Sequence, residues 1–192
     1  MKKGKLFIAL SIICLGLLFV FPLWKITLEA PQYPRGISLY IWISKIAGEN
    51  QNTLKNINIL NHYIGMKPIV PESIPEFKYL PYVIVGIMLI GIGCMFSKWR
   101  HIFLVFAALI IVFCIFGFVD FYLWEYNYGH NLDPHAPIKV PGMAYQPPLI
   151  GSKYLLNFKA ISLPHVGGYG LGLAVLFSLL GYRYDLKEKK HA

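Results

Sequence analysis

Leu80–Val119 reads LPYVIVGIMLIGIGCMFSKWRHIFLVFAALIIVFCIFGFV. Two apolar runs without charge, Leu80–Phe96 and Ile102–Val119, flank a short basic connection, Ser97–His101. As helices rising 1.5 Å per residue, each would span roughly 26 Å, close to the hydrocarbon core of a bilayer. A membrane-crossing helical hairpin is therefore the feature around which the rest of the chain is read.

Working outward, Met1–Lys5 (MKKGK) precedes a further apolar run, Leu6–Leu23. A secretory signal has a shorter apolar core and ends at a small-x-small cleavage site. This run ends in Phe21-Pro22-Leu23-Trp24, and bulky Ile13 before Cys14 argues against a lipoprotein site. It reads as an uncleaved first helix. A fourth span, Val166–Tyr182, is rich in glycine, and its Gly168/Gly172 pair suits close helix packing. The expectation is an all-α membrane protein, four transmembrane helices with two extracytoplasmic loops forming a small mixed cap. Its divisions are 1–24 for the first helix, 25–79 for loop 1, 80–119 for helices two and three, 120–166 for loop 2, and 167–192 for helix four and a tail.

Composition agrees. The chain of 192 residues is 56% hydrophobic and only 14% charged, against roughly 25% charged in a soluble domain. The net charge of +9 is gathered at the ends of apolar runs, which reads as membrane topology rather than nucleic-acid binding. Lys2, Lys3 and Lys5, then Lys98 and Arg100, then Arg183, Lys187, Lys189 and Lys190 fall on one side if four helices alternate. The positive-inside rule makes that side cytoplasmic. The expected location is a bacterial inner membrane with both termini cytoplasmic. Cys14, Cys94 and Cys114 all lie within apolar runs, so no disulfide framework is visible.

The loops carry the candidate chemistry. In loop 1, Gly36–Ile46 alternates and is rich in Ile, Tyr and Trp, as a strand would be. Gly48–Asn52 reads as a turn, and Thr53–Met66 is compatible with either a strand or a short helix. Loop 2 opens with the aromatic belt Phe121–Tyr128 and holds six prolines, too long for a structureless connection. Four histidines are external: His62, His130, His135 and His165. His62 and Met66 stand four apart, which on a helix would put both on one face. Imidazole and thioether donors suit copper, so His62, Met66, His130 and His135 form the candidate metal set. Interface histidines also commonly do no more than bond to backbone or headgroups. Asp120 and Glu125 could serve as proton carriers or metal ligands, but at the water boundary they read as solvated. No nucleophile elbow, Walker loop, dinucleotide fingerprint or haem-attachment motif is present, so an enzyme is not the expectation.

Tyr33-Pro34-Arg35-Gly36, Asn58–Ile69 and Gly151–Pro164 together resemble a pattern in small four-span membrane proteins of bacterial nitrous oxide reductase gene clusters. The resemblance implies a process, copper enzyme maturation or its electron supply, and draws interest to His62 and Met66. The expected function is a membrane accessory or assembly factor for a periplasmic metalloenzyme, with copper as its cofactor. The expected partners are membrane lipid and other membrane or periplasmic subunits. The alternative is a structural subunit of a membrane transporter or respiratory complex.

Overall fold

A computed structural model describes residues 3–99 and 101–190. Lys2, Arg100 and His191 lie outside the described residues.

The apolar hairpin forms as read. Helix α3 (Glu76–Phe96) and helix α4 (Ile102–His130) flank the basic connection. Helix α3 begins four residues before the apolar run and holds Pro81 as its sixth residue, where the ring removes one N–H bond of the helix ladder. Helix α4 runs well past Val119. Its 29 residues rise about 43 Å, more than a bilayer core of about 30 Å can cover. The excess of about 13 Å is a little over two turns that project beyond the apolar layer.

The N-terminal run corrects the first expectation. Helix α1 covers only Lys3–Gly16, followed by a 3-10 turn at Leu17–Phe19. Pro22 lacks an N–H and biases Phe21 away from the helical region, and strand β1 (Trp24–Ala30) follows. Three helices, not four, are long and apolar enough among the described residues to cross a membrane: α3, α4 and the Val166–Lys187 part of helix α5 (Val166–Lys190). Helix α1 instead lies against α5. Ser11 Oγ donates to the Ala174 carbonyl at 2.7 Å, and Phe7 stacks on Tyr184 with ring centroids 5.1 Å apart. The Gly168/Gly172 pair does not make this contact. Gly170 and Gly181 face α1, Gly168 meets the carbonyl of Leu23, and Gly172 faces open space.

The fold is also not all-α. The two loops meet in one five-stranded antiparallel sheet, ordered β3-β2-β1-β5-β4. Loop 1 supplies β1, β2 (Tyr33–Ile41) and β3 (Ile46–Gly48); loop 2 supplies β4 (Gly151–Leu155) and β5 (Phe158–Pro164). The expected strand at Gly36–Ile46 is real but starts earlier and breaks at Trp42. Central strand β1 pairs with β2 from Trp24↔Ile41 to Ala30↔Tyr33 and with β5 from Trp24↔Pro164 to Glu29↔Lys159. The ladder continues into the helix ends, where His165 N donates to the Leu23 carbonyl and Gly167 N to the Pro22 carbonyl, each at 2.9 Å. The neighbouring helices α1 and α5 thus continue into the neighbouring strands β1 and β5.

One sheet face presents Ile26, Leu28 and Leu39 to helix α2 (Thr53–Tyr63) and to the projecting end of α4. Trp24 packs edge-on against Phe118 and Phe121 of α4, and its Nε1 donates to Ser162 Oγ at 2.7 Å. At the opposite end of the helices, His101 Nδ1 lies 3.1 Å from the Tyr182 hydroxyl. That end gathers Lys3, Lys5, Lys98, Arg183 and Lys187, and the sheet stands at the other.

Candidate functional site

The site is best approached from α2. Its apolar residue Ile57 is buried against the sheet. Asn58 clamps the returning chain: its Oδ1 accepts from Ile69 N at 2.8 Å and its Nδ2 donates to the Ile69 carbonyl at 3.0 Å. The helix ends at Tyr63, and Gly65 turns the chain at φ +80°, a conformation that costs a side chain about 1–2 kcal/mol. Loop 2 docks on this turn, with Asp133 N donating to the Gly65 carbonyl at 2.8 Å and Ile138 N to the Tyr63 carbonyl at 2.9 Å. The two loops therefore pack together, first at the sheet and again here.

That turn separates the candidate metal ligands. Because the helix stops before Met66, the four-residue spacing no longer puts His62 and Met66 on one helical face. His62 is exposed and borders an open depression on the outer side of α2 with Lys55, Asn58 and Tyr63. Met66 turns inward and packs with Ile64, Tyr145 and Leu155. His130 is exposed, stacks on Tyr126 at 3.9 Å between centroids and donates through Nδ1 to the Tyr126 carbonyl at 3.0 Å. His135 is exposed, its backbone N–H held by Asp133 Oδ1 at 2.8 Å. Among the described residues, no three His, Cys, Asp or Glu side chains gather as a metal site. His165 sits at the start of α5 with its ring edge-on to Tyr40.

The enclosed space lies on the inner side of α2. A cavity of about 70 Å³ is bounded by the sheet, by Ile57, Asn61 and Met66, by Trp124, Glu125 and Tyr128 of α4, and by Tyr145 and Phe158 of loop 2. Its walls are mostly aliphatic and aromatic. Glu125 is 1% exposed and Tyr145 2%. Both carboxylate oxygens of Glu125 and the hydroxyl of Tyr145 are buried without a hydrogen-bond partner. Asn61 is satisfied in part, donating through Nδ2 to the Lys67 carbonyl at 3.5 Å, and the Tyr128 hydroxyl donates to the Pro68 carbonyl at 3.2 Å. The two side chains that carry these three orphaned oxygens thus line one small, largely apolar chamber.

Comparison of the chain with family models, with curated proteins and with solved structures gives no match. The site is therefore read from its own chemistry, and the likeness to nitrous oxide reductase cluster proteins rests on the quoted sequence segments alone.

The sequence reading put Glu125 at the water boundary, beside Asp120. Asp120 is exposed, but Glu125 is not, because the sheet covers that face of α4. Tyr145 was missed altogether. A signal was present in the spacing: Glu125 precedes Gly129 by four, on one helical stripe. A Cβ at Gly129 would fall on the backbone of Gln146, so this small residue lets the 145–146 segment approach α4, and Tyr145 N donates to the Gly129 carbonyl at 2.9 Å. Arg35 is exposed and does not reach Glu125.

Proposed function

We propose that this chain is a membrane-anchored accessory protein whose sheet-bearing cap binds a small ligand in the cavity between sheet, α2 and α4. The observation that carries the reading is the pair Glu125 and Tyr145, buried and unpartnered in one cavity. Buried polar groups without partners cost about 1–3 kcal/mol each and are uncommon in folded proteins. Where they converge on a chamber, a ligand that completes them is the economical account of why they are kept. The chemistry favours binding over catalysis, since no His, Cys, Ser, Lys or second carboxylate lines the cavity with Glu125 among the described residues. In this reading α3, α4 and α5 cross a bacterial inner membrane, the basic helix end is cytoplasmic, and the cap lies outside the cytoplasm.

Small molecules released by denaturing the purified protein and identified by mass spectrometry test the proposal. A compound enriched over an equal preparation of Glu125→Leu is the expected result. Identical extracts, with no compound raising the melting temperature of wild type alone, overturn it.

Copper handling draws less support, because His62, His130 and His135 are each exposed and Met66 faces a different space. A titration of the intact protein against a Cu(I) chelator, wild type beside His62→Ala/Met66→Ala, decides it. The subunit reading has one observation in its favour: Gly86 and Gly93 of α3 face open space, where a neighbouring helix could approach closely. A stoichiometric membrane partner in mild-detergent purification is its test.

A further inference from the structure

The cavity's polar set specifies more than a ligand's presence. We infer that it is a recognition site for a primary ammonium group on a short apolar stem. This rests on the reading of the cavity as a ligand site.

The orphaned atoms are Glu125 Oε1, Glu125 Oε2 and the Tyr145 hydroxyl oxygen. A primary ammonium carries three N–H donors and no acceptor, one for each of them. It also supplies the single positive charge that a buried carboxylate needs. The remaining walls suit the rest of such a ligand. Trp124, Tyr128 and Phe158 line the same chamber, with the Trp124 and Tyr128 rings 4.4 Å apart between centroids. Aromatic faces attract cations and accept apolar stems. No lysine or arginine lines the cavity to compete for the carboxylate.

Other occupants fit less well. A calcium ion takes six to eight oxygen ligands, and a chamber with one carboxylate and mostly apolar walls cannot provide them. Cu(I) asks for soft donors, and Met66 is the only sulfur that lines the cavity. A quaternary ammonium donates no hydrogen bond and would leave all three oxygens unmet. Size is also consistent. A volume of about 70 Å³ holds roughly five to seven waters at 10–15 Å³ each, so a ligand head of about five non-hydrogen atoms fills it.

Two sources carry this chemistry, a free alkylamine and the headgroup of an ethanolamine phospholipid. The position of Glu125 allows both. It lies six residues beyond Val119, about 9 Å further along α4, at the depth of a headgroup layer when the apolar run fills the core.

The test uses the full chain in detergent and in lipid nanodiscs, titrated with n-butylammonium, with the neutral isostere 1-butanol and with tetramethylammonium. Calorimetry reads binding, and circular dichroism with gel filtration confirms that Glu125→Gln and Tyr145→Phe are folded. The expected result is saturable one-to-one binding of n-butylammonium, at least about thirtyfold weaker in Glu125→Gln and about fivefold weaker in Tyr145→Phe. The two control compounds should bind far more weakly. If n-butylammonium binds less tightly in ethanolamine-lipid discs than in equally uncharged phosphatidylcholine discs, a headgroup occupies the site. Equal binding in both discs makes a free amine the ligand. Each of these two outcomes supports the inference. If 1-butanol binds as well as n-butylammonium and Glu125→Gln binds like wild type, the ammonium inference is overturned while the cavity remains a ligand site. If none of the three compounds binds to the folded wild type, the ammonium inference is overturned and the ligand-site reading loses its support.

Discussion

At the residue scale, three side chains separate binding from stability. Glu125 sits where an apolar residue would serve the fold better. Glu125→Leu should raise the stability of the ligand-free protein by about 1–3 kcal/mol, the cost of leaving a buried polar group unmet, while removing ligand binding. Urea or thermal unfolding in detergent checks the sign; a fall in stability would mean that the carboxyl has a structural partner. Asn58 acts in the opposite sense. Asn58→Ala removes both hydrogen bonds to Ile69 and should cost about 2 kcal/mol, at about 1 kcal/mol per bond, with ligand affinity falling because the inner wall loosens. Ser162 accepts from Trp24 Nε1 and donates to the Leu149 carbonyl at 3.1 Å, tying β1 and the chain before β4 to β5. The sequence left Thr53–Met66, and Asn58 within it, as either a strand or a short helix. It could not show that Glu125 is covered, because the strands that cover it lie more than a hundred residues apart in the chain.

At the element scale, the apolar hairpin was legible because two long charge-free runs allow little else. The same reasoning over-read the N-terminal run. Hydropathy counts Leu6–Leu23 as one span, but the backbone leaves the helix at Gly16 and Pro22 directs it into a strand. Strand β1 carried no clear signal of its own, since WKITLEA mixes charge with apolar residues and acquires its role through its partners. The charge of Asp120 suggests the end of α4, whereas the helix continues for ten residues as the wall of the cavity. The contact between that wall and loop 2 depends on Gly129. Gly129→Ala places a methyl against the Gln146 backbone and should destabilise the cap by about 1–3 kcal/mol, as overpacked cores do. Hydrogen exchange resolved by segment should show the loss around residues 143–147 and leave the α1–α5 contact protected. Uniform loss across the chain would contradict this placement.

At the scale of the whole molecule, charge and architecture agree. The basic residues stand at one end of the helices and the sheet at the other. In intact cells, a membrane-impermeant maleimide should label Tyr154→Cys, exposed on β4, and should label Lys187→Cys only after lysis. The reverse pattern would turn the protein over in the membrane and place the cap in the cytoplasm. The all-α expectation failed for a separate physical reason. Two loops, each too short to hold a core of its own, pool their strands, and the apolar face of the pooled sheet is buried against α2 and the end of α4.

The pairing of β1 with β5 also fixes when the cavity can exist. Residues 24–30 are synthesised before residues 158–164, so β1 waits with one edge open while the intervening chain is made. The chamber can close only when β5 reaches β1. Its completion therefore requires α3 and α4 to return the chain to the end of the helices where β1 stands, and a chain that fails to return leaves that strand edge unpaired.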